Sequence, residues 1–188
     1  MPLRRMRPLD EPAPAQAPTF EAVCRTHTPQ IARWAQRLGG PKVDVEEVVQ
    51  DVLLIVARRL GEFRGDAKIT TWLFRITARV AANHRRAGSR RRVWGRLTRR
   101  IEETAPTDAP EPGADLEAQE ARARFYRALD TLPERYRQVL VLFELEEMAG
   151  DEIARMVERP AATVRVWLHR ARGEFVAAWR RDNEEGGK

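Results

Sequence analysis

The sequence has little of what builds a disulfide scaffold, a metal centre or a membrane anchor. Cys24 is the single cysteine among 188 residues, which excludes an internal disulfide and a cysteine-based zinc site. His27, His84 and His169 lack metal-ligand spacing, so no metal or cofactor is expected. No stretch approaches the roughly 18 apolar residues of a membrane-spanning helix, and no membrane contact is expected. Residues 1–19 carry Arg4, Arg5 and Arg7, but Pro8, Pro12, Pro14 and Pro18 occupy the place where a secretory signal needs its apolar stretch. That segment reads as a disordered extension of a cytoplasmic protein in a reducing compartment. A glycine-rich phosphate loop, a nucleophile motif and paired carboxylates in a pocket-forming context are also missing, so no catalytic residue is nominated and an enzyme is not expected. Strand-like alternation and internal repeats are absent as well, leaving an all-α fold.

Lysine is scarce too, standing only at Lys42, Lys68 and Lys188. Arginine supplies the rest of a formal charge of +6, and a polyanion is a reasonable partner for such a chain. The planar guanidinium pairs bidentately with phosphates and guanine edges, although GC-rich coding produces the same skew. With 43% hydrophobic and 33% charged residues, the composition suits compact helical domains.

Helical periodicity begins at Phe20 and is broken at Gly39-Gly40-Pro41 and again from Gly61 to Gly65. It runs on to about Arg86, and then the charge pattern changes abruptly. Arginines from Arg85 to Arg100 come without an acid, and acids from Glu102 to Glu120 come without a base. Pro106, Pro110, Pro112 and Gly113 interrupt the acidic part. The expected organisation is two small helical domains, 20–88 and 116–182, joined by a flexible basic-then-acidic linker, 89–115. Residues 183–188 form a frayed tail.

The second block has the pattern of a helix-turn-helix. A short helix, about Asp151 to Val157, meets a turn at Glu158-Arg159, and Pro160 suits the first turn of the helix that follows. On a wheel of about 100° per residue, Val164, Trp167, Leu168, Ala171, Phe175 and Ala178 share the inner face. Ala162, Val166, His169 and Gly173 lie opposite, flanked by Arg165 and Arg170. Such a face fits a major groove, where helix-turn-helix proteins place their second helix. Arg165 and Arg170 suit guanine or phosphate, and Ala162 and Val166 suit thymine methyls. His169 either contacts DNA or is solvated. Arg172, at the edge, meets a phosphate or an acid.

In the first block, the helix from Asp44 to Leu60 gathers Val45, Val48, Val49, Val52, Leu53, Val56 and Leu60 on one side and Glu47, Gln50, Asp51 and Arg58 on the other. Leu54 lies within the polar side, and an exposed leucine among acids and an amide suits a protein partner better than DNA. The next helix, about Ile69 to Arg86, buries Ile69, Trp72, Leu73, Ile76 and Val80. Its outer flank presents Arg75, Arg79 and Arg86 with Thr71 and Ala82, a stripe able to follow a phosphate backbone. Trp72 is either core or a base-stacking platform, and Phe74 either packs on another helix or faces DNA.

These blocks resemble the extracytoplasmic-function group of bacterial sigma factors from about Phe20 to Trp179. Asp44-Val45-Glu46-Glu47-Val48-Val49-Gln50-Asp51-Val52 is similar to the family's helix for the polymerase largest-subunit coiled coil. Phe63-Arg64-Gly65-Asp66, followed by Thr71-Trp72-Leu73-Phe74-Arg75-Ile76, resembles its promoter-melting segment. Leu132-Pro133-Glu134-Arg135-Tyr136-Arg137, Glu152-Ile153-Ala154, Thr163-Val164-Arg165 and Leu168-His169-Arg170-Ala171-Arg172 follow in the family's order. The resemblance implies that Asp44, Glu47, Gln50, Asp51 and Leu54 bind RNA polymerase core. It implies that Arg64, Gly65, Asp66, Ala67, Lys68, Thr71, Arg75 and Arg79 hold the melted single strand of the minus-ten element. Ala162, Thr163, Arg165, Val166, His169 and Arg170 would read the duplex of the minus-thirty-five element. The acidic linker would thread the polymerase channel in imitation of a nucleic-acid backbone, and an anti-sigma factor is expected as a further partner.

The sequence also departs from the family. Ala149 replaces the usual capping serine, a contact contributing about 1 kcal/mol; Gly150 or Asp151 would have to compensate. Glu158 replaces the usual turn glycine. Val166 and Trp167 replace a commoner polar and basic pair, which bears on the promoter preferred. The alternative function is a stand-alone helix-turn-helix repressor or activator that binds duplex DNA as a dimer, yet such a protein needs neither the acidic face at 44–60 nor two blocks.

Overall fold

The computed structural model describes residues 18–65, 67–97 and 116–186. Among them every regular element is helical, as composition and periodicity led us to expect. Helix α1 spans Phe20–Gly39; the Thr19 hydroxyl accepts from the Ala22 N–H at 3.2 Å and caps it. At its end Gly40 has φ +75°, a conformation glycine adopts without strain, and donates its N–H to the Gln36 carbonyl at 2.8 Å. Helix α2 covers Val45–Arg59 and is capped by Asp44, which accepts from the Glu47 N–H at 3.0 Å. Glu46 and Glu47 lie in the first turn and Arg58 and Arg59 in the last, which suits the helix dipole. A 3-10 turn, Leu60–Glu62, leads into the loop before α3, Ile69–Leu97.

The second block contains α4 (Leu116–Asp130), α5 (Glu134–Leu140), a π turn (Val141–Leu145), α6 (Gly150–Met156) and α7 (Ala161–Gly186). Both breaks anticipated in the first block occur. Two helix ends fall later than periodicity suggested: α3 continues to Leu97 and α7 to Gly186. Gly88 and Gly95 each cost only about 1 kcal/mol relative to alanine, and the arginines around them favour helix. The change in charge composition near Arg86 therefore does not mark a change in backbone.

In the first block Trp34, Ile31 and Leu38 of α1 meet Val48, Val52 and Val56 of α2 and Leu73 and Phe74 of α3, all buried. Phe74 takes the packing alternative: its ring lies edge-on to Trp34, centroids 5.3 Å apart at 84°. Thr71 and Ala82 are buried rather than on an open flank. Helix α3 packs on α1, α2 and α6 together, so more of its circumference is covered than an isolated helical wheel allows. Trp72 is partly buried against the core, its ring tilted on Phe63 at 5.6 Å.

The two blocks are not loosely joined; they meet along a continuous seam. Arg137 of α5, with no exposed surface, donates its Nε–H to the Leu38 carbonyl at 2.8 Å and Nη1 to Asp130 at 2.9 Å. Burial, with Arg85 close by, pulls its pKa below the ordinary guanidinium value. At Gly40 a side chain would come within 2.7 Å of the Tyr126 ring of α4, so the close approach requires glycine there. Around this centre the first block contributes bases and the second acids. Arg33 and Arg37 pair with Glu146 at 3.1 and 2.6 Å, Lys42 with Asp130 at 3.7 Å, Arg75 with Glu158 at 2.7 Å, and Arg85 with Glu134.

Arg137→Ala removes two charge-assisted bonds and opens a cavity, while Asp130 stays partly hydrated. The expected loss in unfolding free energy is about 2–3 kcal/mol, measurable by urea denaturation of the full chain.

Candidate functional site

Three surfaces carry the residues nominated from the sequence. The first lies on α2. Asp44, Glu47, Gln50 and Leu54 are exposed, Leu54 at 48%, and Asp51 is half-buried. The N–H of His84, from α3, donates from Nε2 to Asp51 at 2.8 Å, while Nδ1 stands 3.5 Å from Glu47. One imidazole therefore spans two carboxylates on successive turns of α2. Beside them, Phe20, Val45, Val49, Gln50, Leu53 and Leu54 line an open apolar groove of about 600 Å³. An acidic rim beside an apolar groove suits a protein helix with basic and apolar side chains.

The second surface joins the loop before α3 to that helix. Arg64, Gly65, Lys68, Arg75 and Arg79 are exposed and Ala67 is half-buried; Asp66 lies outside the described residues. Gly65 has φ +79° with open space around its Cα. Thr71 is buried where α3 approaches the second block. Ala67, Lys68 and Thr71 line a cleft of about 880 Å³ together with Glu158, Arg159 and Pro160.

The third surface is on α7. Val164, Leu168, Ala171 and Ala178 are buried, and Trp167 and Phe175 pack partly against the core. Ala162, Arg165, Val166, His169 and Arg170 share the exposed face, with Val166 at 49%, while Thr163 is half-buried. The side chain of Arg170 hydrogen-bonds Tyr136, which raises the arginine's pKa and lowers that of the phenol. Arg172 pairs with Glu144 at 2.7 Å and lies over the Phe143 ring, the acid alternative anticipated for it. Helix α6 and α7 are joined through Glu158, whose φ of 52° is left-handed. Ala149 offers no side-chain cap; instead its own N–H donates to the Glu152 carboxylate at 3.3 Å. Glu152 thus satisfies the N–H of Ala149, a different donor from the first-turn N–H that a capping serine would serve.

Comparison with known proteins places both blocks. Residues 23–92 match the family model described as Sigma-70 region 2, and residues 122–174 match Sigma-70, region 4. The ECF RNA polymerase sigma-E factor of Escherichia coli (strain K12) is 33% identical over 137 residues, covering 70% of this chain and 72% of that protein. The chain belongs to the extracytoplasmic-function family of sigma factors. It is a promoter-specificity subunit that brings bacterial RNA polymerase core to promoter DNA during transcription initiation. The RNA polymerase sigma-H factor of Pseudomonas aeruginosa is likewise 33% identical, over 134 residues, covering 69% of each chain. The structure of CnrH in complex with the cytosolic domain of CnrY shares the fold, with a TM-score of 0.58 at 24% identity, over 87% of this chain and 88% of CnrH. So does RpoE of Bartonella quintana in complex with the anti-sigma factor NepR, with a TM-score of 0.53 at 19% identity, over 86% of this chain and 96% of that one.

Sequence reasoning missed His84, Arg85, Phe20 and Tyr136 in this sigma factor. His84 reaches Asp51 across 33 positions of sequence, a separation that leaves no periodic signal. Phe20 joins a groove made mainly by another helix. Among the described residues no helix is long and apolar enough to cross a membrane, and no group of histidine, cysteine and acids could hold a metal ion.

Restoring a side-chain acceptor with Ala149→Ser should stabilise α6. The expected gain is about 1 kcal/mol, seen as a higher midpoint in thermal unfolding with start sites unchanged.

Proposed function

We propose that the promoter work is divided among the three surfaces as follows. Asp44, Glu47, Gln50, Asp51 and Leu54 dock on polymerase core, with the adjoining groove taking apolar side chains. Arg64, Gly65, Asp66, Ala67, Lys68, Thr71, Arg75 and Arg79 hold the unpaired strand of the minus-ten element. Thr71 becomes accessible there only when the second block moves away. Ala162, Thr163, Arg165, Val166, His169 and Arg170 read the minus-thirty-five duplex.

The observation that carries this reading is the open face of α7, where two arginines flank small and apolar side chains above an inner face packed on the core. An arginine pair of this kind suits guanine edges or phosphates, and Val166 a thymine methyl. The function is that of a binding subunit, not a catalyst, working in the cytoplasm where polymerase and promoters are. The domain limits that go with it are 20–88 and 116–182. The acidic stretch within 89–115, which lies outside the described residues, would thread the polymerase channel. An anti-sigma factor is the expected protein inhibitor, and the apolar groove on α2 offers it a place to compete with core.

The test is to mix the full chain with sigma-free polymerase core and sequence the 5′ ends of transcripts made from its source genome. Defined start sites should appear. Arg165→Ala and Arg170→Ala should each reduce them about tenfold or more, on the scale of one lost base contact. No core binding, alongside tight specific duplex binding by the protein alone, would turn the reading into that of a repressor.

His84→Ala should leave both carboxylates on α2 unpositioned. We expect weaker core binding by titration calorimetry with unchanged binding to minus-thirty-five duplex; an unchanged affinity for core would remove His84 from the docking surface.

A further inference from the structure

Arg170 stands on the open face of α7, yet its guanidinium is already engaged there. It donates to the phenol oxygen of Tyr136, which comes from α5. Tyr136 is only 3% exposed and belongs to the core where α5 packs on α7, so packing fixes the place of that oxygen. Arg135, the residue before it, is exposed and holds its guanidinium carbon 4.7 Å from the centroid of the same ring, an attraction to the ring face. The two arginines, Arg170 foremost, hold the phenol below its ordinary pKa. Arg172, two residues further along α7, is held differently. Its partner is the carboxylate of Glu144 at 2.7 Å, which neutralises its charge. A phenol takes one hydrogen bond and leaves the charge of Arg170 uncompensated, with donors free for a planar, bidentate partner.

We infer that Tyr136 is a positioning residue for promoter reading, its phenol oxygen holding Arg170 in the pose in which the guanidinium meets a guanine edge of the minus-thirty-five duplex. An arginine on a flexible stem loses rotamer freedom when it pairs with a base. Tyr136 takes much of that loss in the free chain, so binding no longer bears it. The reading head therefore includes a residue outside the helix-turn-helix itself. A carboxylate in the same place would compete with DNA for the guanidinium; a phenol orients it without competing. This rests on the reading of Arg170 given above, and the test separates the two.

Initiation by core polymerase with the full chain is measured on a promoter taken from the mapped start sites, and on variants with one minus-thirty-five base pair replaced at a time. Arg170→Ala should abolish discrimination at the position that Arg170 reads. Tyr136→Phe keeps the ring and its packing and removes only the oxygen. It should lower discrimination at that same position by about three- to tenfold and leave the other positions as in the parent. Added to Arg170→Ala, it should change nothing further. The ultraviolet absorbance of tyrosinate gives a second readout that needs no DNA, since Tyr126 is the one other tyrosine. In Arg170→Ala the Tyr136 step should move to higher pH. Parental discrimination in Tyr136→Phe, or a loss spread evenly over every position, would overturn the positioning role. So would a phenol titration that Arg170→Ala leaves in place. Parental discrimination at every position in Arg170→Ala would defeat the reading of Arg170 and the inference with it, a shifted phenol titration then marking the contact as structural alone.

Discussion

Where the two blocks meet, a guanidinium with no exposed surface is divided between a carboxylate of its own block and a main-chain carbonyl at the end of α1. Burying a charge this completely is costly unless its hydrogen-bonding capacity is met. Here it is met only in part, because Nη2 of Arg137 and Nε of the neighbouring Arg85 are both buried without a partner. The seam is therefore held by packing around Gly40 and Tyr126 and by ion pairs, against a desolvation cost that opening would relieve. An interface of that kind holds the chain closed without making closure irreversible. The positions of the other surfaces follow from it, since α6, the turn at Glu158 and the loop before α3 all come together along this line.

The arrangement of charge along the seam fits the roles proposed for the two blocks. A surface that must follow phosphates needs arginines on α3, and in the absence of nucleic acid those arginines are an uncompensated positive stripe. The second block supplies acids along the seam: Glu158 meets Arg75 and Glu134 meets Arg85 on α3, while Asp130 meets Lys42 and Glu146 meets Arg33 and Arg37. None of them lies among the residues nominated on α7. The reading face of α7 stays open while the seam is closed.

What was legible in the sequence was what repeats within a helix. The two breaks in the first block, the start of α4 near Leu116, the short α6 and the inner and outer faces of α7 were all readable from apolar spacing and from Gly and Pro. The stripe of α2 was readable too, although Val45, Val49 and Leu53 only partly bury against the core and also line a groove. What escaped was the part set by long-range contact. Thr71 and Ala82 looked exposed because a wheel has one inside, whereas α3 packs on several helices. Phe74 could be assigned only once Trp34 was beside it. The seam could not be read at all, because its partners stand 49 to 113 positions apart and no periodicity links them. Likewise the arginine-rich stretch after Arg86 signalled a boundary in charge, and the helix ran through it.

The weak points of the helix-turn-helix have the same origin. Helix α6 is 7 residues long, well under the roughly 12–15 at which an isolated helix becomes even marginal. It has no side-chain cap at Ala149, only the carboxylate of Glu152 folded back on the chain. Just past its C-cap, Val157, comes a non-glycine residue at positive φ, Glu158. Local propensity therefore does not account for its place in the fold. Ile153, Ala154 and Met156 do, by burying into the core shared with α7. A turn that is locally unfavourable but tertiarily fixed is also one whose geometry responds to what it touches. In this chain it touches Arg75. Glycine at position 158 would suit the turn better and make no contact with α3, so the glutamate is explained by the seam and not by the reading head to which it belongs in sequence.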